Sequence, residues 1–187
     1  MAIIEKWGEL NKLRFRPQKS LMLPITYRRR LSLVDPPEVK LYGQVIRAVA
    51  ELTYLGVKWD GGLTFHSHFK DKKVAMDSLI YRLTITVCKW YSKQPSLLKK
   101  IYKGTLEPKA LFGHSTWGYR LCLKTFCEYL NVMHRPPLLA ITKEYRTSST
   151  LSLQVLAGLP PLDLRAIEVY SAFFVPRARQ DVTVHYV

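Results

Sequence analysis

Cysteine is scarce in this sequence. Cys88, Cys122 and Cys127 are the only three among 187 residues, and no two of them are spaced as a CxxC pair. An odd and sparse set of cysteines predicts neither a disulfide framework nor a zinc site. It fits a reducing, intracellular compartment, and nothing in the sequence distinguishes the nucleus from the cytoplasm.

Long apolar runs are also missing. The first residues include Glu5 and Glu9, which is not the pattern of a secretory signal, and no run reaches the ~18 apolar residues that a membrane span needs. Hydrophobic residues nevertheless make up 48% of the chain, which is enough to form a core. The composition therefore argues against a largely disordered chain.

Acidic residues are few beside the basic ones. The chain has 14 Asp and Glu against 29 Lys and Arg, which gives a net charge of +15. Such a charge opposes compaction by self-repulsion and is expected where the partner is a polyanion. Nucleic acid is the first candidate and an anionic membrane the second, and a basic soluble protein is the remaining alternative. Residues 61–120 carry 11 basic and 3 acidic residues, so this stretch is the expected polyanion face.

The first third of the chain predicts one helix followed by short strands. Apolar residues at helical spacing, from Ile3 to Leu13, predict an amphipathic helix over residues 2–13 that Pro17 ends. A short strand is predicted at 19–23, a basic loop at 27–30 and a turn at 35–37. Residues 60–62 close a small antiparallel set, whose predicted strands lie within Val39–Tyr42, Gln44–Ile46 and Leu52–Lys58.

From Thr64 onward the pattern is helical, so the predicted fold class is α+β with a boundary near residue 62. One apolar stripe marks a long helix: Met76, Ile80, Leu83, Val87 and Trp90. Pro95 is expected to begin a second helix, which Pro108 should kink or end. The remaining predicted helices run from about Tyr119 to His134, ending at Pro136–Pro137, from Thr150 to Ala157, with Gly158 as its left-handed cap, and from Leu162 to Phe174.

Four strings stand in the order found in one known family. They are Trp7 with Leu13–Ser20; Tyr54–Val57 with Asp60, Leu63, Phe65 and His68; Ile101–Lys103 with Pro108, Leu111–Gly113 and Trp117; and Tyr145–Thr150 with Val155–Leu162. Together they resemble the region that follows the catalytic strand in reverse transcriptases of non-LTR (LINE-type) retrotransposons. The last string is most similar to the jockey branch. His134, before Arg135, and the segment after Tyr170 depart from the family pattern.

This resemblance implies an RNA-directed DNA polymerase with three parts in this chain. They are a palm remnant with the primer-grip hairpin at 1–62, a helical thumb at 63–135 and a post-thumb helical segment at 136–187. The family centre uses Mg²⁺ ions held by palm aspartates, including an adjacent pair that would lie upstream of Trp7. The sequence contains no Asp-Asp, so we expect this chain alone to be inactive and to bind no metal or other cofactor. The implied partners are an RNA–DNA hybrid or RNA, and the missing palm and fingers half, with no membrane.

The resemblance also implies which residues contact nucleic acid. Lys19 matches a family lysine near the phosphates of the incoming nucleotide, and its alternative is a solvated lysine at a strand end. Tyr54, Leu55 and Gly56 match the primer grip, a hairpin tip that presses on the sugar–phosphate chain, and the alternative is a plain core strand and turn. The basic residues expected to follow the template–primer are Lys70, Lys72, Lys73, Arg82, Lys89, Lys93, Lys99, Lys100 and Lys103. The aromatic residues interleaved with them are Tyr81, Trp90, Tyr91 and Tyr102, of which Trp90 and Tyr102 are better explained as core.

Other chemistries find less support in the sequence. Asp60, His66 and His68 would supply three ligands where a structural zinc ion needs four. Cys88 or Ser115 beside His114 has no third orienting group, so a nucleophile–base pair is not favoured. Two other functions stay open: a non-functional product of a degenerate mobile element with an exposed apolar face, or a basic helical protein at a membrane surface.

Overall fold

A computed structural model describes residues 2–26, 37–91 and 95–178, and two compact units share them. The amino-terminal unit is Met1–His68 and the carboxy-terminal unit is Phe69–Val187. The predicted loop at 27–30, the start of the turn at 35–37 and the end of the chain beyond residue 178 lie outside the described residues. The three-part division into palm remnant, thumb and post-thumb segment stays a prediction.

The amino-terminal unit begins with helix α1 (Ala2–Leu10), which ends before the predicted stop at Pro17. The Leu13 N–H donates to the Gly8 carbonyl oxygen at 2.8 Å, and Lys12 takes a positive φ of 56°. This closes the helix with a left-handed residue, although a lysine stands where glycine is usual. A 3₁₀ turn at Pro17–Lys19 follows, so the prediction that Lys19 begins a strand is wrong.

Among the described residues of this unit, six short strands form three two-stranded sheets. In chain order the strands are β1 (Leu21–Met22), β2 (Lys40–Leu41), β3 (Gln44–Val45), β4 (Arg47–Ala48), β5 (Glu51–Tyr54) and β6 (Val57–Asp60). The β2–β3 and β5–β6 pairs are antiparallel, as predicted. The β1–β4 pair is parallel. Strand β1 lies within the predicted strand at 19–23, whereas β4 and the pairing were not predicted.

Both hairpins turn through two residues with positive φ. These are Tyr42 and Gly43, at 49° and 76°, and Leu55 and Gly56, at 48° and 78°. Two such residues in a row make a type I′ turn, whose twist matches that of the flanking strands. The predicted run at 52–58 is therefore a hairpin that reverses at its centre.

The described part of the remaining chain is helical. The elements are α2 (His66–Tyr91), α3 (Pro95–Ile101), a π-helical segment (Tyr102–Leu106), α4 (Glu107–Leu111), α5 (His114–Trp117), a 3₁₀ segment (Gly118–Cys122), α6 (Lys124–Thr142), α7 (Thr150–Ala157) and α8 (Leu162–Ala178). The predicted helix starting at Pro95, the capped helix at 150–157 and the last helix are confirmed. Within the described residues, no helix is both long and apolar enough to cross a membrane.

Two prolines inside predicted helices behave differently. Before Pro108 the helix widens, since the Glu107 N–H donates to the Tyr102 carbonyl oxygen five residues back. That adjustment accommodates a proline that cannot donate a hydrogen bond. The predicted end at Pro136–Pro137 is wrong, because α6 continues through both residues to Thr142. Pro137, Leu138 and Ile141 are buried there, so packing outweighs the local effect of the prolines.

The core of the carboxy-terminal unit is built around aromatic rings. Phe69 meets Trp117 and Phe126 edge-on, with ring centroids 4.9 and 5.0 Å apart, and all three are fully buried. Helix α6 packs against α3, α7 and α8. Met76 and Ile80 of the predicted stripe are buried, whereas the side chains of Val87 and Trp90 lie outside the described part. The fold agrees with the α+β class predicted from the sequence.

Candidate nucleic-acid interface

Three of the predicted basic residues on α2 are exposed, but they do not share one face. Lys70 and Lys73 lie one turn apart along the same side. Arg82 lies about 120° around the helix axis from Lys70, because each residue advances by about 100°. Tyr81 is 68% exposed and lies within about 20° of Lys70, so an exposed aromatic ring lies on the same side of α2 as the lysines.

Lys72 is not on the surface, and its predicted contact with phosphate is corrected. The residue is 8% exposed, and its ammonium donates to the carbonyl oxygens of Ala110 and Phe112 at 2.9 and 2.7 Å. The same nitrogen lies 4.9 Å from the centroid of the Trp117 ring. Burial lowers the pKa of Lys72 to about 7. Its neighbours Lys70 and Lys73 fall on the exposed side because a helix turns 100° per residue.

The lysines that follow α2 differ in exposure. Lys100 and Lys103 are exposed, and Lys99 is half-buried. Lys99 Nζ lies 3.1 Å from the position that a Cβ on Gly158 would take, next to the carboxyl end of α7, where a helix carries partial negative charge. Lys93 and the side chains of Lys89, Trp90 and Tyr91 lie outside the described residues. Tyr102 is 3% exposed, which confirms its place in the core.

The hairpin tip in the amino-terminal unit presents apolar side chains to solvent. Tyr54 is 61% exposed and Leu55 is 76% exposed. Leu55 has a φ of 48°, a conformation that costs a branched side chain about 1 to 2 kcal/mol and that Asn or Gly would adopt more easily. An exposed leucine held in a strained turn is consistent with a tip that presses on a ligand. Lys19, in the same unit, is exposed in its 3₁₀ turn.

The acidic and imidazole groups at the start of α2 have structural roles. The Asp60 carboxylate accepts from the backbone N–H groups of Thr64 and Phe65 at 2.9 and 2.7 Å, and from the Thr64 hydroxyl. Burial alone would raise the pKa of Asp60, but these hydrogen bonds outweigh it and hold the pKa below its usual value. His68 Nδ1 accepts from the Lys58 N–H at 3.3 Å. Across the described ranges, no group of three or more His, Cys, Asp and Glu side chains is arranged to hold a metal ion.

The other alternative site also has a structural explanation. His114 Nδ1 lies 3.2 Å from the Leu111 carbonyl oxygen, at the turn between α4 and α5. The side chain of Cys88 lies outside the described part of the chain. His114 and Cys88 would offer an imidazole and a thiol, whereas a two-metal polymerase centre uses carboxylates, so no metal-dependent step is assigned to these two residues.

Arg135 organises the loop at 145–149, a role that was not predicted from the sequence. Its guanidinium donates to Thr150 Oγ1 at 2.9 Å, to the Ser148 carbonyl oxygen at 2.8 Å and to the Arg146 carbonyl oxygen. One side chain on α6 therefore holds the segment that leads into α7, whose first turn is capped by Ser149. The one hint in the sequence was that Arg135 directly follows His134, where the chain departs from the family pattern.

The amino-acid sequence of the chain is similar to those of several known proteins. A 115 kDa protein in the type-1 retrotransposable element R1DM of Drosophila melanogaster is 30% identical over 89% of this chain and 16% of its own length. A retrovirus-related Pol polyprotein from the R1 element of Nasonia vitripennis is 32% identical over 67% of this chain and 31% of its own. One from Bradysia coprophila is 29% identical over 76% and 14%. No family model matches the chain, and no solved structure matches it.

All of these relatives are proteins of retrotransposable elements. The chain is related to a region of R1 Pol polyproteins from non-LTR retrotransposons, which confirms its resemblance to that family. It spans between 14% and 42% of the length of the relatives that it matches.

Proposed function

We propose that this chain is a nucleic-acid-binding part of a retrotransposon RNA-directed DNA polymerase and that it grips the template–primer. The observation that carries the proposal is the exposure of basic residues on α2, on α3 and on the π-helical segment in a chain related to Pol polyproteins. The residues proposed to contact phosphates are Lys70, Lys73, Arg82, Lys100 and Lys103. Lys72 is left out because two carbonyl oxygens already hold its ammonium.

The chemistry of these residues implies contacts with the backbone of the nucleic acid. Lysines are point charges that neutralise phosphates and release counterions, so binding weakens steeply as salt rises and depends little on sequence. In an RNA–DNA hybrid the exposed sugar edges and phosphates are the accessible groups. The tip at Tyr54–Gly56 is proposed to contact the primer strand through its exposed side chains.

Catalysis is proposed to need residues that this chain does not supply. Two-metal phosphoryl transfer requires carboxylates that align the primer hydroxyl and the incoming phosphates. The sequence has no adjacent aspartates. Two of the described acids have structural roles, since Asp60 holds the turn before α2 and Glu107 pairs with Arg165. We therefore expect this chain to bind without polymerising, and to act beside the rest of a Pol polyprotein.

The test is binding to an RNA–DNA hybrid, single-stranded RNA and duplex DNA over a salt series. One variant replaces Lys70, Lys73, Lys100 and Lys103 with Gln. A control variant replaces the same number of exposed charges elsewhere in the carboxy-terminal unit: Lys109, Lys124, Lys143 and Arg146.

The proposal expects tight hybrid binding by the unmodified chain. The first variant should lose about 1 from the slope of log K against log salt for each phosphate contact removed. The control variant should keep most of the affinity. Equal losses in both variants would show attraction to net charge alone and would overturn the assigned surface.

A second candidate function is the non-functional product of a degenerate element, and one observation favours it. The apolar residues of α1 and its following turn are exposed, with Ile3 at 85%, Leu10 at 75% and Trp7 at 52%. Such a face either packs against another part of a polyprotein or promotes aggregation. Salt-independent self-association of the chain, without selective hybrid binding, would favour the degenerate product.

A further inference from the structure

The amino-terminal unit contains a cleft. One wall of the cleft is the segment at 14–18, which comes directly after α1 in the chain. The Phe15 ring lies against α1, since a Cβ on Gly8 would come within 2.9 Å of its Cε2 atom. Phe15 also stacks on Trp7, with ring centroids 6.4 Å apart. The Ser20 N–H and hydroxyl donate to the carbonyl oxygens of Pro17 and Arg16 and hold the next turn. The backbone that carries Arg14 and Arg16 is thereby anchored on both sides, while both side chains are exposed.

The opposite wall is the β2–β3 hairpin. The Tyr42 N–H donates to Glu5 Oε1 at 2.6 Å, which ties the hairpin turn to α1. The Arg14 guanidinium lies 5.8 Å from the centroid of the Tyr42 ring, within the range of a cation–π contact. Gln44, just after the turn, lines the same space.

The space between these walls has a defined size and chemistry. It measures about 570 Å³ and its polar lining side chains are Arg14, Arg16, Gln18, Tyr42 and Gln44. None of the described residues that line it is acidic, and the two guanidinium groups of Arg14 and Arg16 are its charged groups. The nearby Glu5 carboxylate accepts from the Tyr42 N–H. Binding sites for small ligands commonly measure about 300 to 1,000 Å³, so the cleft has room for one nucleotide.

We propose that this cleft binds an unpaired nucleotide of a single-stranded nucleic acid. The arginines match phosphate oxygens in charge and geometry. The glutamine amides offer donors and acceptors to the edge of a base, and the Tyr42 ring offers a surface for stacking. A duplex is excluded because its bases are already stacked and paired inside the helix. The inference rests on the proposed function and adds a second, single-strand site on the other unit.

The test uses the full chain with fluorescently labelled single-stranded oligouridine, single-stranded oligothymidine and a blunt RNA–DNA hybrid. The first variant is R14Q/R16Q, and its matched control is K124Q/R146Q, which removes the same charge outside the cleft. The second variant, Y42N, removes the ring but places Asn before Gly43, the preferred sequence of a type I′ turn. Y42N should therefore fold at least as well as the unmodified chain.

The expected result is a loss of about tenfold in single-strand affinity for R14Q/R16Q and for Y42N, with hybrid affinity nearly unchanged. Comparing the affinities for oligouridine and oligothymidine shows whether the cleft prefers RNA or DNA. Equal losses in R14Q/R16Q and K124Q/R146Q, or full single-strand affinity in Y42N, would overturn the cleft. Absence of binding to every probe by the unmodified chain would instead overturn the proposed function itself.

Discussion

Lys72 and Trp117 donate to the same acceptor, the carbonyl oxygen of Phe112, at 2.7 and 3.0 Å. Lys72 also donates to the carbonyl oxygen of Ala110, which lies within α4. The lysine thus ties α2 to the turn after α4, where Gly113 takes a φ of 73°. A basic residue that the sequence suggests as a phosphate contact is a structural tie within the unit.

Substitution at Lys72 should therefore separate stability from binding. Glutamine is one atom shorter than lysine, so K72Q weakens the donor contacts to Ala110 and Phe112, although the Phe112 oxygen keeps the Trp117 donor. We expect K72Q to lower the free energy of unfolding by roughly 2 kcal/mol. K70Q, at the exposed neighbour, should leave stability unchanged and weaken hybrid binding. Chemical denaturation and hybrid titration of both variants check this. A K72Q variant that is stable but binds weakly would mean that Lys72 reaches the nucleic acid.

The hairpin tip offers a test in which stability and binding move in opposite directions. L55N replaces a leucine at a φ of 48° with a residue that accepts this conformation before Gly56. We expect the free energy of unfolding of the amino-terminal unit to rise by about 1 kcal/mol. Hybrid affinity should fall, because the exposed side chain that contacts the primer is lost. Unchanged affinity would show that the tip is only a turn.

His134 should make stability depend on pH. Its ring is fully buried, stacks on Tyr102 at 5.3 Å and lies 3.4 Å from the Gln154 amide. Burial lowers its pKa to about 4, against the smaller opposite effect of Asp163. The unfolded chain binds the proton first, so this contribution is complete above pH 6.5 and is lost as pH falls to 4.

We expect the loss at His134 to be about 3 kcal/mol across that range. Urea denaturation at a series of pH values, on the unmodified chain and on H134L, measures it as the difference between the two pH profiles. Parallel profiles would show that acid destabilisation comes from other groups.

Gly118 makes a close contact that allows no side chain. A Cβ there would lie 2.0 Å from Cδ2 of Tyr170 on α8. We expect G118A to lower the free energy of unfolding by about 1 to 3 kcal/mol, because the ring must move. G104A is the matched control, since nothing lies within 4 Å of the corresponding position in the π-helical segment. Thermal denaturation should show a fall only in G118A.

Arg135 should control how easily its loop is cut. R135K keeps the charge but cannot donate to Thr150, Ser148 and Arg146 together. We expect faster tryptic cleavage after Lys143 and Arg146, both of which are exposed, with little change in global stability. Mass spectrometry of the early fragments identifies the sites. Unaltered cleavage rates would mean that the Ser149 cap alone orders the loop.

Local rules in the sequence predicted much of the fold. Pro95 began a helix, and Gly158 ended α7 in the left-handed conformation that glycine adopts easily. Each depends on a backbone preference of one or two residues, so no distant contact was needed. The resemblance to non-LTR retrotransposon proteins likewise came from the sequence, and the R1 relatives confirm it.

Contacts between distant residues decided what these rules could not. Pro136 and Pro137 predict a helix end, yet burial of α6 against its neighbours keeps the helix going. Lys70, Lys72 and Lys73 are chemically alike in the sequence, and only the packing of α2 on Phe112 and Trp117 separates the buried one. Arg14 lies far along the chain from Tyr42 and Gln44, and these residues line one cleft because α1 and a hairpin meet through Glu5. The sequence by itself therefore determined the family, the charge and the local turns, whereas burial and long-range contacts decided which cations remain free to bind.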